Sequence, residues 1–261
     1  MPAHRAAPAV ADRSRSAPGR LLDAAAPRVS LGDVVAERLR EAILSDELKP
    51  GQPLREEDIS ERLRVSRGPV RDAFIILERE GLVSRESHRG AKVVELSLDD
   101  LGEVYSLRLS IEELAVRLAI RRGDAADLDA VDASLSDLRS GLRRRLTEQE
   151  AARLDVEFHD AIFRAAHHER LYASWRAIRM QVYWFLCSRN IANADWRVAT
   201  VGGHQEILDL IRGGKERPAT AAIRFHITSA YTRIINQLTA EDPAGPDAAE
   251  IVQVAKSFLL T

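Results

Sequence analysis

The chain has 261 residues, enough for two domains of ordinary size. It is 45% hydrophobic and 30% charged, a common globular balance, and only 5% aromatic. The net charge of −2 excludes binding to nucleic acid through bulk positive charge, so any DNA-contacting surface must be local.

Residues 1–28 are rich in Ala, Pro, Arg and Ser, with prolines at 2, 8, 18 and 27, and show no periodicity. They read as a disordered tail. A helix follows from about Leu31 to Ser45. Ser30 and Asp33 have the spacing of a capping box, with Asp in place of the usual Glu, and Leu31, Val35, Leu39 and Ala42/Ile43 form its buried stripe. Lys49-Pro50-Gly51 turns the chain.

Two short helical patterns come next, Arg55 to Leu63 and Ser66 to Glu80. Val70, Phe74 and Leu77 make the apolar face of the second, with Leu82 just beyond it, and Arg67 and Arg71 stand four residues apart on another face. Ser66 suits the N-cap, Pro69 falls in the first turn where its missing N–H costs nothing, and Gly81 suits the end. Two helices joined by a tight turn, the second opening with arginines, present a reading head to the DNA major groove. Leu82 to Arg85 and Ala91 to Leu96 read as strands linked by residues 86–90, a wing whose tip carries Arg85, His88, Arg89 and Lys92. From Arg62 to Lys92 there are eight Lys/Arg against four acidic residues, a local excess of +4 in a negative chain. That is the footprint of a phosphate-contacting surface.

Pro50-Gly51, Leu54-Arg55-Glu56, Val65-Ser66-Arg67-Gly68-Pro69-Val70-Arg71, Leu77 through Val83, and Arg89-Gly90 together resemble the winged helix of the GntR family of bacterial transcription regulators. The resemblance spans about 31–96. It implies that Arg67 and Arg71 reach base edges and phosphates and that Gly90 passes close to the minor groove. The expected DNA-contacting set is Arg55, Ser66, Arg67, Gly68, Arg71, His88, Arg89 and Gly90. The chain departs from the family at Glu57, where many members carry arginine, and at Gly68, where threonine is common. Arg55 stands ready to supply the contact missing at Glu57.

From Leu98 onward every strong pattern is helical: about 98–122, 124–142, 148–167, 170–190, 195–211 and 217–238, with Gly213-Gly214 between the last two. Residues 241–247 break the pattern, and a short amphipathic tail with Ile251, Val254, Ala255 and Phe258 follows. The expected fold is mainly α. A winged helix-turn-helix with a small β-hairpin wing occupies 29–96, an all-α bundle of six or seven helices occupies 97–240, and 241–261 is a tail. Cys187, the single cysteine, lies in an apolar run and excludes both an internal disulfide and a cysteine-based zinc site. No apolar run reaches the roughly 18 residues of a membrane span, and no signal-peptide core is present, so a cytoplasmic protein is expected.

Polar residues interrupt three apolar stripes. Asp155 and His159 sit at i, i+4 on the inward face of the third bundle helix, His204 on that of the fifth and His226 on that of the sixth. Any one of these histidines alone is an ordinary core histidine. One carboxylate and three imidazoles aimed at one interior need a common partner, and a divalent transition metal supplies it. The donors suit zinc, with nickel, manganese or iron also allowed.

This half resembles the C-terminal ligand-binding (FCD) domain of the FadR-type branch of the same family. The marks are Tyr105-Ser106-Leu107-Arg108, Glu112, Asp155-x-x-Phe158-His159, His204-x-x-Ile207 and His226-Ile227. The resemblance implies that Asp155, His159, His204 and His226 hold a metal beside a cavity for small organic acids. Arg108 matches a cavity arginine that pairs an effector carboxylate; at i, i+4 it also has Glu112 as a possible ion-pair partner. Gly203 stands where an acidic residue is common. The expectation is a homodimeric repressor on an inverted-repeat operator in double-stranded DNA, released by a small carboxylate. Two alternatives stay open, a metal-dependent hydrolase tethered to DNA and a direct metal sensor. Three histidines and one aspartate leave room for an activated water, but no separate general base is spaced to serve it.

Overall fold

The computed structural model describes residues 29–86, 90–95, 97–144, 146–188 and 194–241. The two tails therefore lie outside the described residues, as do His88 and Arg89. Helix α1 (Leu31–Leu44), strand β1 (Pro53–Leu54), helices α2 (Glu56–Leu63) and α3 (Arg67–Arg79), and strands β2 (Val83–Glu86) and β3 (Gly90–Val93) come first. Helices α4 (Leu98–Arg122), α5 (Ala125–Leu142), α6 (Glu148–Ala165), α7 (Glu169–Ser188), α8 (Ala194–Arg212) and α9 (Glu216–Glu241) follow. A mainly helical chain with a winged helix-turn-helix at one end is what the patterns imply.

Local chemistry sets the boundaries. Side chain and backbone close reciprocal capping boxes at Ser30/Asp33, Ser97/Asp100, Asp124/Asp127 and Thr147/Glu150, fixing where α1, α4, α5 and α6 begin. Ser66 takes the extended N-cap conformation at α3, but its hydroxyl makes no capping bond. The turn between α2 and α3 passes through Arg64 in the left-handed region, φ +55. At the other end of α3, Gly81 (φ +68) closes a Schellman turn, with Leu82 N donating to Leu77 O and Gly81 N to Glu78 O.

Three expectations need correction. Leu31, placed on the buried stripe of α1, is half exposed, while Ala36 is buried; the inward face runs through Val35, Ala36, Leu39 and Ile43. The sheet has a third strand. β1 pairs antiparallel with β3, giving the order β1-β3-β2, so the wing is anchored to the segment before α2. A two-residue strand is too short to leave a periodicity. The ladder also ends earlier than expected, at Val93, although Val94 N still donates to Leu82 O.

Two hydrophobic cores result. The first gathers α1, α3 and the sheet around Phe74, Leu77, Leu82 and Val93. The second fills the α4–α9 bundle around Tyr105, Phe158, Trp175 and Ile227. Trp184 of α7 belongs to the first core although its helix belongs to the bundle. Gln181, on the same helix, donates to Gly81 O at 3.3 Å. Between α1, α6 and α7 lies a cleft of about 660 Å³, floored by Leu44, Val156, Met180 and Tyr183.

Gly81 thus serves two needs, a left-handed turn and a close approach to α7. A Cβ there would stand 2.2 Å from the Gln181 amide nitrogen. Gly81→Ala is expected to lower stability by about 1–2 kcal/mol from the left-handed strain alone, and by more while Gln181 is in place. Urea unfolding of the single variant and of the double variant with Gln181→Ala separates the two parts; equal midpoints for both variants would show that the contact with α7 contributes nothing.

Candidate metal centre and nucleic-acid interface

At the end of the molecule formed by α2, α3 and the wing, the described members of the DNA-contacting set are accessible. Arg55, Ser66, Arg67, Gly68 and Arg71 are exposed, and Gly90 takes φ +90 beside the Leu54 carbonyl. Nothing lies within 4 Å of a Cβ built on Gly68, so the fold itself does not require glycine there. The two arginines of α3 do not project freely. Arg67 forms an ion pair with Glu57, and Arg71 Nε donates to Glu56 Oε2 at 2.7 Å. The N-terminus of α2 therefore supplies a carboxylate to each arginine of α3. Sequence reading saw in Glu57 only a missing contact; the pairing is a tertiary fact that no spacing rule along one helix reveals. Exposed pairs of this kind hold weakly, and DNA phosphates can replace the carboxylates.

The second site lies inside the bundle. Asp155 and His159 from α6, His204 from α8 and His226 from α9 are all buried and bring one ligand atom each within 4.8 Å of one another. His204 Nε2 is 3.1 Å from His226 Nε2 and 3.5 Å from Asp155 Oδ1, and His159 Nε2 is 3.8 Å from Asp155 Oδ2. Phe158 stacks on the His204 ring at 4.0 Å and keeps its plane. Burial pushes the pKa values of His204 and His226 well down, and neighbouring cations push them further. Burial raises Asp155, against the pull of His159 and Arg108. The buried Nδ1 of His204 has no hydrogen-bond partner.

A relay stands behind this group. Arg108 of α4 donates from Nε to Glu112 Oε1 at 2.6 Å, and Glu112 Oε2 lies 2.5 Å from His159 Nδ1. Burial works to raise Glu112, but His159 and Arg108 outweigh it and hold the carboxyl down at about 2. An ionised Glu112 accepts from both neighbours, so the network assigns the His159 proton to Nδ1 and leaves Nε2 with a lone pair. Arg108 donates to that lone pair at 2.9 Å. Glu112, considered from sequence only as a partner for Arg108, also orients a histidine of the buried group. At the opposite side, a Cβ on Gly203 would stand 3.3 Å from His226 Nδ1, so the acidic residue common there would crowd the ring.

The donor set fits a divalent metal. Three imidazoles and a carboxylate converge, with the Arg108 guanidinium against one of the donor nitrogens, and His159 is oriented as a ligating histidine commonly is, by a carboxylate on its far nitrogen.

Comparison with known proteins finds a family match in each half of the chain. Residues 31–93 match the bacterial regulatory proteins of the gntR family, and residues 103–229 match the FCD domain. The chain belongs to the GntR family. A Probable D-xylose utilization operon transcriptional repressor of Paenarthrobacter nicotinovorans is 29% identical over 87% of this chain and 98% of its own length. A Gluconate operon transcriptional repressor of Bacillus licheniformis is 30% identical over 58% of this chain and 62% of its own. A GntR transcriptional regulator from Rhodococcus sp. RHA1 superposes with a TM-score of 0.65 at 25% identity, covering 78% of this chain and 97% of that one.

In this GntR regulator Trp175 and Trp184 have structural explanations. Trp175 stacks on Phe163 and donates to Asp160, a buried carboxylate also reached by Tyr172, Arg164 and Arg179. Trp184 serves the first core. Trp196 lies in a stretch whose side chains fall outside the described residues. Among the described residues, no helix is long and apolar enough to cross a membrane.

Two outcomes are expected. Glu112→Ala leaves Arg108 buried without its carboxylate and should cost about 3–5 kcal/mol in thermal or urea unfolding. The same change should weaken metal affinity about 10–100-fold by freeing the His159 ring. The second concerns acid. His204 and His226 stay neutral in the fold at pH values where the unfolded chain protonates them. Metal-stripped protein should therefore hold full stability above about pH 6.5 and lose it as pH falls below, by up to about 1.4 kcal/mol per imidazole per pH unit. Urea midpoints across pH 7.5 to 5.5, with His226→Gln flattening the slope, check the sign.

Proposed function

We propose that this regulator is a homodimeric repressor that binds an inverted-repeat operator and is released by a small organic acid. The acid binds at a divalent metal, zinc by preference, held by Asp155, His159, His204 and His226. The observation that carries this reading is the buried group of four convergent donors with its carboxylate-backed histidine. When bound, the ion supplies a Lewis-acid position for a carboxylate oxygen. The repressor reading is supported by the names of the xylose and gluconate relatives. Dimerisation belongs to the same reading, since two reading heads on an inverted repeat need a two-fold partner.

Arg108 has a defined part in this scheme. The single lone pair of His159 Nε2 serves either a metal or the Arg108 guanidinium. With His159 Nε2 given over to a metal, Arg108 would keep its Nε on Glu112 and have its other N–H edge free. That released edge is a donor beside the metal for the effector carboxylate. On the DNA side, Arg67 and Arg71 exchange the carboxylates of Glu57 and Glu56 for base edges and phosphates.

Two measurements test the reading. Arg71→Ala should weaken specific operator binding by about 1–3 kcal/mol and relax base preference, seen in operator titrations at fixed salt. A thermal-shift screen of organic acids should give stabilisers for zinc-loaded protein that fail on chelator-treated protein, and the same acids should lower operator affinity. Acids that stabilise both forms equally would remove the metal from the mechanism. Zinc that alters operator affinity with no acid present would make the ion itself the signal.

A further inference from the structure

The buried donors do not account for all the polar groups in this interior. Among the described residues, Tyr105 Oη of α4, Thr200 Oγ1 of α8 and Arg233 Nε of α9 are buried atoms without hydrogen-bond partners. Tyr105 is fully buried, with the Arg108 guanidinium 5.4 Å from its ring centre and Tyr231 packed at 5.4 Å. Burial pushes its hydroxyl up to about 12, so it is a neutral donor at any working pH.

Helix registers place these three atoms on one side of the metal centre. The pairs Glu113–Arg224 and Arg121–Glu216 set α4 antiparallel to α9. In that register Glu112 lies level with His226, and Tyr105 lies level with Arg233. Arg233 is seven residues beyond His226, which is two turns or about 10 Å along α9. The tight turn at Gly213–Gly214 sets α8 antiparallel to α9 and levels His204 with His226, at 3.1 Å. Thr200 is one turn before His204 on the same face. All three displacements run away from the α8–α9 turn. The unpartnered atoms thus form a column rising from the metal centre, beside Arg108.

The cations in this column differ. Arg108 is balanced by Glu112 at 2.6 Å. Arg233 forms no ion pair among the described residues, and burial works against its charge. That charge acts on Asp155, Tyr105 and His226, so it faces this interior. A partly buried guanidinium without a carboxylate calls for an anion.

We infer that the effector is an acid with two anionic ends, the first at the metal and Arg108 and the second at Arg233, with Tyr105 and Thr200 donating to the chain between them. This rests on the metal-and-acid reading above and narrows it to a class, dicarboxylates and their hydroxylated forms. The length of the column favours a chain of several carbons over the shortest diacids.

The test is calorimetric titration of zinc-loaded protein with succinate, glutarate and adipate, each beside the monocarboxylate of equal chain length. At least one diacid should bind about tenfold tighter than its monoacid. Arg233→Gln should reduce that ratio to within about threefold while leaving the monoacid unchanged, and Arg233→Lys should keep part of the preference. Tyr105→Phe should weaken the diacid only. Equal binding of diacids and monoacids, or a preference that survives Arg233→Gln, overturns the inference while leaving the metal-and-acid reading in place. If no acid binds zinc-loaded protein, or binding ignores the metal, both fall.

Discussion

Burying charge inside a helical bundle is the constraint on which the effector half of this molecule depends. A carboxylate and three imidazoles sit among Phe158, Trp175 and Ile227, where an unmatched charge would oppose folding. The protein answers in layers. The two imidazoles of His204 and His226 stay neutral. Glu112 carries its charge deep in the core because Arg108 and His159 share it. Each compensation fixes an orientation: Glu112 sets the tautomer of His159, and the tautomer sets which lone pair faces the centre. The electrostatic solution to burial and the preorganisation of a binding site are therefore one arrangement.

The DNA-facing half solves the reverse problem. Its positive charge must be available yet must not compel binding to any polyanion. The chain as a whole is slightly negative, and Glu56 and Glu57 stand directly against Arg71 and Arg67. Only a surface that offers more to the arginines than these carboxylates do will displace them. Phosphates alone offer charge; a matched base edge adds bidentate geometry. Acidic residues at the reading head thus favour discrimination over raw affinity.

Much of this was legible in the sequence, for physical reasons. The capping boxes are local, so Ser30/Asp33, Ser97/Asp100, Asp124/Asp127 and Thr147/Glu150 mark helix starts wherever they occur. The four buried donors were visible because a polar residue on an apolar stripe stands out against helical periodicity. What escaped notice depends on contacts between elements. Strand β1 is two residues long and exists only because β3 lies beside it. Leu31 has helical spacing, but the first turn of α1 meets α3 through Gly32 beside Asp72 and leaves Leu31 half exposed. Glu112 looked like an i, i+4 partner for Arg108, and its hold on His159 spans 47 positions. Arg233 carries no motif at all; only the absence of a counterion among the described residues marks it. Sequence reading finds residues that are out of place in their own helix, and the fold is needed to find those out of balance with their neighbours.

In the proposed scheme a change at the candidate metal centre has to reach the DNA-facing half, and the packing offers a short route. Helix α6 carries Asp155 and His159 on one face and Arg153, Val156 and Glu157 on the face that lines the cleft against α1. Asp160, on the same helix, is tied to Arg179 of α7, which also lines that cleft. Helix α7 then enters the first core through Trp184 and holds the end of α3 through Gln181 and Gly81. Helix α1 closes the path, since Arg40 is bonded to Glu80 at the C-cap of α3. Helix α6 is thus tied to α7, which braces the recognition helix, and faces α1 across the cleft. Close-packed layers transmit small displacements as rigid shifts. A movement of α6 in response to a ligand on its inner face would therefore be passed to α7, and α3 is fastened to α7 at Gly81.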